Sequence, residues 1–360
     1  MSNTIQHPSI FLSKSVTAEI MKESSEAERH RNLTDTQRKI IHQQNWFNLY
    51  VPKVYGGLEL SLPEILRIEE CLGWADGSTA WVVTLCSGAA WFVGFIDPAL
   101  AKEVFAHPNV CFAGSGAVTG TANKTKRGYA IEGHWKYATG SLLASVFTVN
   151  CQVRENGNLL YNSDGSPVVT SFLLKREEVV VHDTWTCMGM IATGSHAIEV
   201  KNVVVPLNRS FQIHPSHTTL SQHIFKFPFL QLAETTLAVN LSGIGYRFLE
   251  LCGELFSTKK SKALHTKLCS SRKNQDDIRA EFYFGVETAW DELISKNHVS
   301  EAVLINVSNL SHQLVHRTRV LINEFYGYCG LEAADMRNEI NRVWRNFHTA
   351  SQHSLFGKNF

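Results

Sequence analysis

From Gly77 to Ile96 the chain reads GSTAWVVTLCSGAAWFVGFI, 20 consecutive positions without a charged side chain. A helix built from this run has no polar face to turn toward water, so something must enclose it on every side. It is long enough to span a bilayer. However, Ser78, Thr79, Thr84, Ser87 and three glycines interrupt it, Asp76 and Asp97 bound it, and no lysine or arginine flanks it closely. The run therefore predicts a central helix buried inside a large helical domain. Its small residues would allow a neighbouring helix or a ligand to approach closely.

The rest of the chain is large enough to supply that enclosure. Its 360 residues, 44% of them apolar, predict two or three domains. The 34 Lys and Arg nearly balance the 33 Asp and Glu. There is thus no global field to attract nucleic acid or an anionic membrane, and neither is expected as a partner. The short basic run NKTKRG at 123–128 reads as a solvated turn. Eight cysteines are scattered without a CxxC, which fits reduced thiols in a cytoplasmic protein. The N-terminus MSNTIQHPSIFLSKS has no basic stretch followed by an apolar core, so no signal peptide is expected.

The periodicity changes twice along the chain. Residues 14 to 106 read as helical, with Thr34 or Asp35 as a helix cap and Pro63 in a first turn. From Val110 the period becomes two, in short β-branched and aromatic runs separated by Gly, Asn-Gly or Asp-Gly. From about Pro228 the pattern returns to long helices, expected over Phe229 to Phe256, Arg272 to Asn297, Glu301 to Tyr328 and Asn338 to Phe356. The expected fold is α+β and multidomain: an N-terminal helical domain (1–109), an antiparallel β-barrel or sandwich (110–212) and a C-terminal four-helix bundle (213–360).

Most familiar catalytic signatures are missing. GSGAVTG at 114–120 has neither the spacing of a dinucleotide fingerprint nor a following helix. Its glycines and the hydroxyls of Ser115, Thr119 and Thr121 could still hold a ring edge or a phosphate. His214, His217 and His223 lie close in sequence, but Pro215 interrupts them and no carboxylate or cysteine joins them, so no metal site is expected. GxSxG, HExxH and P-loop lysine motifs do not occur. The segment RNFHTASQH at 345–353 carries an arginine and two histidines but no acid. Projected as a helix, it puts Asn346 and His353 on one stripe and His348 on another.

Several stretches in order, VPKVYGG near 51, GHWKYATG at 133, MGMIATGSHAIEVKNVVVP at 188 and YGYCGLEAADMRNEINRVWRNFHTASQH near the end, together resemble the acyl-CoA dehydrogenase superfamily. The resemblance covers nearly the whole chain. It is closest to the branch of two-component flavin-dependent monooxygenases, which use reduced flavin supplied by a separate reductase. FAGSGAVTGTA resembles that branch's flavin loop, and the resemblance implies that Ser115 touches the flavin ring and Thr121 a flavin phosphate. WKYATG matches the strand whose hydroxyl reaches the flavin edge, which points to Thr139, with Trp135 and Tyr137 packing nearby. Phe112 and Asn346 complete the flavin-binding set implied.

The last helix separates the branches. In the dehydrogenases a glutamate shortly after an Arg-Asp pair removes the α-proton of a thioester. Here the pair is Arg345-Asn346, the matching region offers His353 and Ser354, and no Asp or Glu follows Glu339. A weakly acidic α-proton needs a placed carboxylate, whereas an imidazole suits a phenolic or heteroatom group at neutral pH. The expectation is therefore an oxygenase component acting with O2 on a small aromatic or heteroatom substrate, with His353 as its acid/base. The cofactor would be flavin, with FMN favoured over FAD because the dehydrogenases' pyrophosphate-binding arginine segment is not recognisable. A homotetramer is implied by the resemblance. The alternatives are an acyl-CoA dehydrogenase with its base elsewhere and a non-catalytic scaffold of the same fold.

Overall fold

The computed structural model describes residues 5–357. Five helices come first: α1 (Lys14–His30), α2 (Asp35–Gln43), α3 (Leu62–Ala75), α4 (Gly77–Ala90) and α5 (Pro98–Phe105). Eight strands follow, β1 (Phe112–Thr125), β2 (Gly128–Ala138), β3 (Val146–Glu155), β4 (Asn158–Leu159), β5 (Val169–Lys175), β6 (Val180–His182), β7 (His196–Val205) and β8 (Ser210–Phe211). The chain then returns to helix in α6 (Phe229–Thr258), α7 (Lys262–Lys296), α8 (Glu301–Cys329), the single turn α9 (Leu331–Ala334) and α10 (Glu339–Ala350).

The first part of the uncharged run forms α4, Trp91–Gly94 continue it as a 3-10 turn, and protein encloses both. No helix among the described residues is long and apolar enough to cross a membrane. Asp76 ends α3 and caps α4, its carboxylate accepting from the Thr79 amide at 2.8 Å and the Thr79 hydroxyl at 2.7 Å. Beside α4, α3 packs so closely on α6 that side chains at two glycines would collide with backbone. A Cβ on Gly73 would stand 2.5 Å from the Asn240 carbonyl oxygen, and one on Gly243 2.1 Å from that of Glu70.

One ion pair ties α3 to the C-terminal bundle. Glu70 and Arg279 are both fully buried, with Arg279 Nε and Nη2 donating to the carboxylate at 2.8 and 2.9 Å. Ser242 and Tyr283 hydroxyls also donate to it, at 2.7 and 2.9 Å. Burial pushes the Glu70 carboxyl up, but Arg279 and the hydroxyls outweigh it and hold it below the ordinary value. Breaking such a pair from one side leaves a buried charge uncompensated.

The β region departs from a simple antiparallel barrel. Its strands form one sheet in the order β6-β7-β2-β1-β3-β5-β8, with β4 pairing β3 and edges at β6 and β8. β1 and β3 run parallel, from Phe112 opposite Val146 to Asn123 opposite Arg154, with irregularities between Ser115 and Gly120. The other ladders are antiparallel. Two helical expectations also shift. α7 begins at Lys262, ten residues before the expected start at Arg272, and α10 ends at Ala350, so His353 lies beyond the helix.

Glu69, next to the paired Glu70, is equally buried, yet neither of its oxygens has a hydrogen-bond partner among the described residues. Burial raises its carboxyl well above the ordinary range, and the neighbouring Thr84 hydroxyl offsets this only in part. The folded protein therefore holds a proton that the unfolded chain releases above about pH 4.5. Stability should fall as pH rises from that value, by up to about 1.4 kcal/mol per pH unit from this group. Urea denaturation at pH 5 to 8 should show a flatter profile for Glu69→Gln, with the variant relatively more stable at pH 8. Parallel profiles would show that Glu69 is ionised in the folded state.

Candidate functional site

The site forms where one turn of α4 meets the end of β2, the loop before β7 and the C-terminal turn. Val82 and Cys86 face the sheet. A Cβ on Gly140, whose φ is +74°, would stand 2.4 Å from Cys86 Sγ and 3.8 Å from a Val82 methyl. The Cys86 thiol lies 3.8 Å from the Thr139 carbonyl oxygen. Trp81, the neighbouring residue on the same turn, meets the His353 ring in an edge contact with centroids 6.1 Å apart. Thr139, through Cys86, and His353, through Trp81, thus approach one helix from faces about 140° apart and roughly 7.5 Å along it.

Behind Thr139 lies a chain of hydroxyls. Its Oγ1 is 2.9 Å from Ser195 Oγ, which is 2.7 Å from Thr193 Oγ1, which donates to the Met190 carbonyl at 2.8 Å. All three side chains are buried. The loop carrying them is pinned from two directions. Asn346 Oδ1 accepts from the Met190 amide at 2.7 Å, and Arg345 donates to the Met188 carbonyl and to Glu28, each at 2.6 Å. Trp185 Nε1 donates to the Met190 carbonyl at 2.8 Å, while buried His196 accepts from the Thr184 and Trp185 amides through Nδ1. Burial keeps His196 below its ordinary pKa, which matches its acceptor role.

The sequence-derived flavin residues fall into two groups. Ser115, Thr121 and Tyr137 lie at the accessible surface of the sheet. Ser115 Oγ donates to the Lys136 carbonyl at 2.9 Å, and Thr121 Oγ1 lies 3.3 Å from Glu132. Tyr137 has a left-handed backbone (φ 65°), is 66% exposed and packs edge-on to Trp185 with centroids 6.2 Å apart. Thr139 lies just below this surface. Phe112 and Trp135, by contrast, are fully enclosed. Phe112 stacks on Phe105, and Trp135 donates from Nε1 to the Asn150 carbonyl at 3.0 Å. Asn346 is buried behind the loop, acting on Met190.

The glycines of GSGAVTG serve mostly to pack. A Cβ on Gly120 would stand 2.1 Å from the Trp135 ring, and one on Gly114 2.4 Å from the Thr148 carbonyl oxygen. Thr119 is also engaged, donating to the His134 carbonyl at 2.7 Å. Only Gly116 of the three is open. Of the clustered histidines, His214 stands edge-on to His217 at 5.9 Å, and among the described residues no group of three ligands could hold a metal. The hydroxyls of Thr193 and Ser195 escaped sequence reading, although ATGS is a visible polar run inside a quoted motif.

His353 sits in a turn after α10, its amide donating to the Ala350 carbonyl at 3.1 Å. Burial lowers its pKa, so the ring is neutral at pH 7. The Leu355 amide points to Nδ1 at 3.4 Å. A neutral ring accepting at Nδ1 carries its proton on Nε2, so Nε2–H is the group left to meet a ligand. His348 occupies a separate environment, its ring tilted against that of Trp344 with centroids 4.4 Å apart.

Removing the Asn346 anchor tests the loop directly. Asn346→Ala leaves the buried Met190 amide without its acceptor and should cost about 1–3 kcal/mol of stability in urea denaturation. An unchanged midpoint would mean that Asn346 does not hold this loop.

No protein-family profile matches the chain. Indole-3-acetate monooxygenase from Acinetobacter baumannii is 25% identical to it over 86% of this chain and 81% of the relative. The flavin-dependent monooxygenase oxygenase subunit HsaA of Mycobacterium tuberculosis is 25% identical over 93% of this chain and 88% of its own length. The crystal structure of HsaA from that organism superposes with a TM-score of 0.86 at 23% identity, covering 95% of this chain and 91% of that one. In fold the chain matches acyl-CoA dehydrogenase-like monooxygenases, and by its relatives it is a flavin-dependent oxidoreductase homologous to the oxygenase components of two-component systems.

Proposed function

We propose that this oxygenase component acts on a small aromatic substrate that binds between α4 and the C-terminal turn, with a hydroxyl or other acceptor group on its ring accepting a hydrogen bond from His353 Nε2–H. The observation that carries this reading is the neutral, half-buried imidazole of His353 against Trp81, with Nδ1 already occupied by the Leu355 amide. The sequence adds that no carboxylate follows Glu339, so this end of the chain cannot supply a base for a thioester.

The residues at the sheet surface fit a flavin. Neutral hydroxyls, an open glycine at 116 and an exposed aromatic ring at Tyr137 surround the mouth above Thr139, and such a donor set suits a ring edge with polar rim atoms. In this reading Thr139, backed by Ser195 and Thr193, meets the ring edge, Ser115 and Tyr137 flank it, and Thr121 lies toward the phosphate end. When bound in its reduced form, the flavin supplies the electrons that activate O2. FMN is favoured over FAD on the sequence ground already given. A structural neighbour, XiaF from Streptomyces sp., is described in complex with FADH2, so FAD is the competing choice.

What the protein's own residues do follows from their placement. α4 and its aromatic neighbours exclude water from the reacting ring. His353 holds the substrate by one hydrogen bond and so fixes which ring carbon is turned toward the flavin. Met190, Trp185 and Asn346 fix the loop that carries the Ser195 hydroxyl. A separate reductase delivers the reduced flavin, as the relatives' description as oxygenase subunits and components supports. The protein would work as a homotetramer, for which Phe284 on α7, 73% exposed, offers apolar surface. A cytoplasmic setting agrees with eight free cysteines.

The test supplies reduced flavin and 18O2, with indole or phenol as probe, and follows label in the product. One 18O atom per product molecule is expected. His353→Ala should lower kcat/KM about a hundredfold, while His353→Gln, which keeps a donor, should recover part of the loss. An unchanged rate in His353→Ala would remove the role given to His353. Anaerobic bleaching of the bound oxidised flavin by an acyl-CoA would overturn the monooxygenase reading altogether.

A further inference from the structure

Helical glycines are disfavoured relative to alanine, because they gain no side-chain contact and lose more backbone freedom on folding. Most of those in this protein have a visible reason. A Cβ would strike backbone at Gly73 and Gly243, and a side chain at Gly245 (Thr318) and Gly285 (Leu310), all within 2.5 Å. Gly88 has none. A Cβ built there meets nothing within 4 Å, although the residue lies in the most enclosed helix of the protein. Gly327 is equally open, but it faces solvent on α8.

The open space lies on one stripe of α4. At 100° per residue Trp81, Leu85 and Gly88 project within about 60° of one another, and Phe92 continues the line into the next turn. Leu85, Gly88 and Phe92 are the partly exposed residues of a segment otherwise buried from Gly77 to Ile96. The two flanking faces are accounted for. On one side Gly77 packs on Ile244, Thr84 bonds to Asn240 at 3.2 Å, and Trp91 stacks on Phe229. On the other, Val82 and Cys86 meet Gly140 at the sheet. The stripe therefore opens into the gap between α6 and the sheet, with the Trp81–His353 contact at one end and the Phe92, Phe211 and Phe229 rings at the other.

We infer that Gly88 sets the size of ring the protein accepts: the missing side chain leaves room for a planar, fused aromatic substrate lying along α4 from Phe92 toward His353. This inference rests on the function proposed above and adds the residue that selects among aromatic substrates. The residues along it, Trp81, Leu85, Phe92, Phe211 and Phe229, are apolar or aromatic, which suits a flat hydrocarbon face. His353 supplies the hydrogen-bonding group at one end. A Cβ at position 88 meets no protein atom within 4 Å, so the cost of a methyl there falls on the ligand.

The experiment compares wild type, Gly88→Ala and Gly88→Phe, with indole as the fused-ring probe and phenol as the single-ring probe. Dissociation constants come from calorimetry on flavin-loaded protein. Thermal melting and flavin titration report folding separately. The expected result is a melting temperature for Gly88→Ala equal to or above wild type and unchanged flavin affinity in both variants. Indole binding should weaken about tenfold in Gly88→Ala and become undetectable in Gly88→Phe, with phenol binding kept in Gly88→Ala. If indole binds all three proteins equally, Gly88 does not face the substrate and the inference fails while the proposed function stands. If wild type binds neither probe and incorporates no 18O into either, the proposed function fails and this inference fails with it.

Discussion

Everything in this structure is arranged around the need to cover α4. A helix with no charged residue has no stable exposed face, and one domain of five short helices cannot wrap it alone. Coverage comes from three directions: α3 and α6 pack along it, the sheet end at Gly140 presses on Val82 and Cys86, and the C-terminal turn closes over Trp81. The helical bundle and the β region are thus brought to opposite sides of one helix. The site is the part of that helix that neither one fills.

The electrostatics follow the same division. Buried charge is concentrated where it joins elements. Glu70 and Arg279 bind α3 to α7, and Arg345 reaches from α10 to Glu28 on α1 and to the loop before β7. The groups about Thr139 and His353 are neutral: the Thr139 hydroxyl, backed by Ser195 and Thr193, the Tyr137 ring and an imidazole held uncharged by burial, with the Glu132 carboxylate farther out beside Thr121. Oxygen chemistry at a reduced flavin needs such a dry and uncharged enclosure, because stray protons and water divert it. A thioester dehydrogenation site would instead need a carboxylate there.

Much of this was legible in the sequence, for physical reasons. The switch from period 3.6 to period 2 and back marks the helical, β and helical regions, because each burial pattern is written locally. Strand pairing is not local. Period 2 is the same for a parallel and an antiparallel neighbour, so the β1–β3 pairing could not be read. The first ten residues of α7 are rich in Lys and Ser with little apolar period, which hid its start. α10 misled in the opposite direction, since apolar spacing continues past Ala350 although the helix stops there. His353, expected within the last helix, is a turn residue beside Trp81 whose free nitrogen is Nε2. Phe112 and Trp135 are aromatic residues in the expected strands whose side chains turn into protein, Phe112 toward α5 and Trp135 into the sheet core, a choice fixed by register rather than by residue type. Thr193 and Ser195 went unseen because a short polar turn carries no periodicity.

The account's central claim is spatial: a substrate ring lies along the open stripe of α4 with its polar group at His353. A crystal structure of flavin-loaded protein with indole bound tests it most directly. The ring should rest against Gly88 and Leu85, between Phe92 and His353. Indole bound elsewhere, with the stripe beside Gly88 filled by rearranged protein side chains, would contradict it.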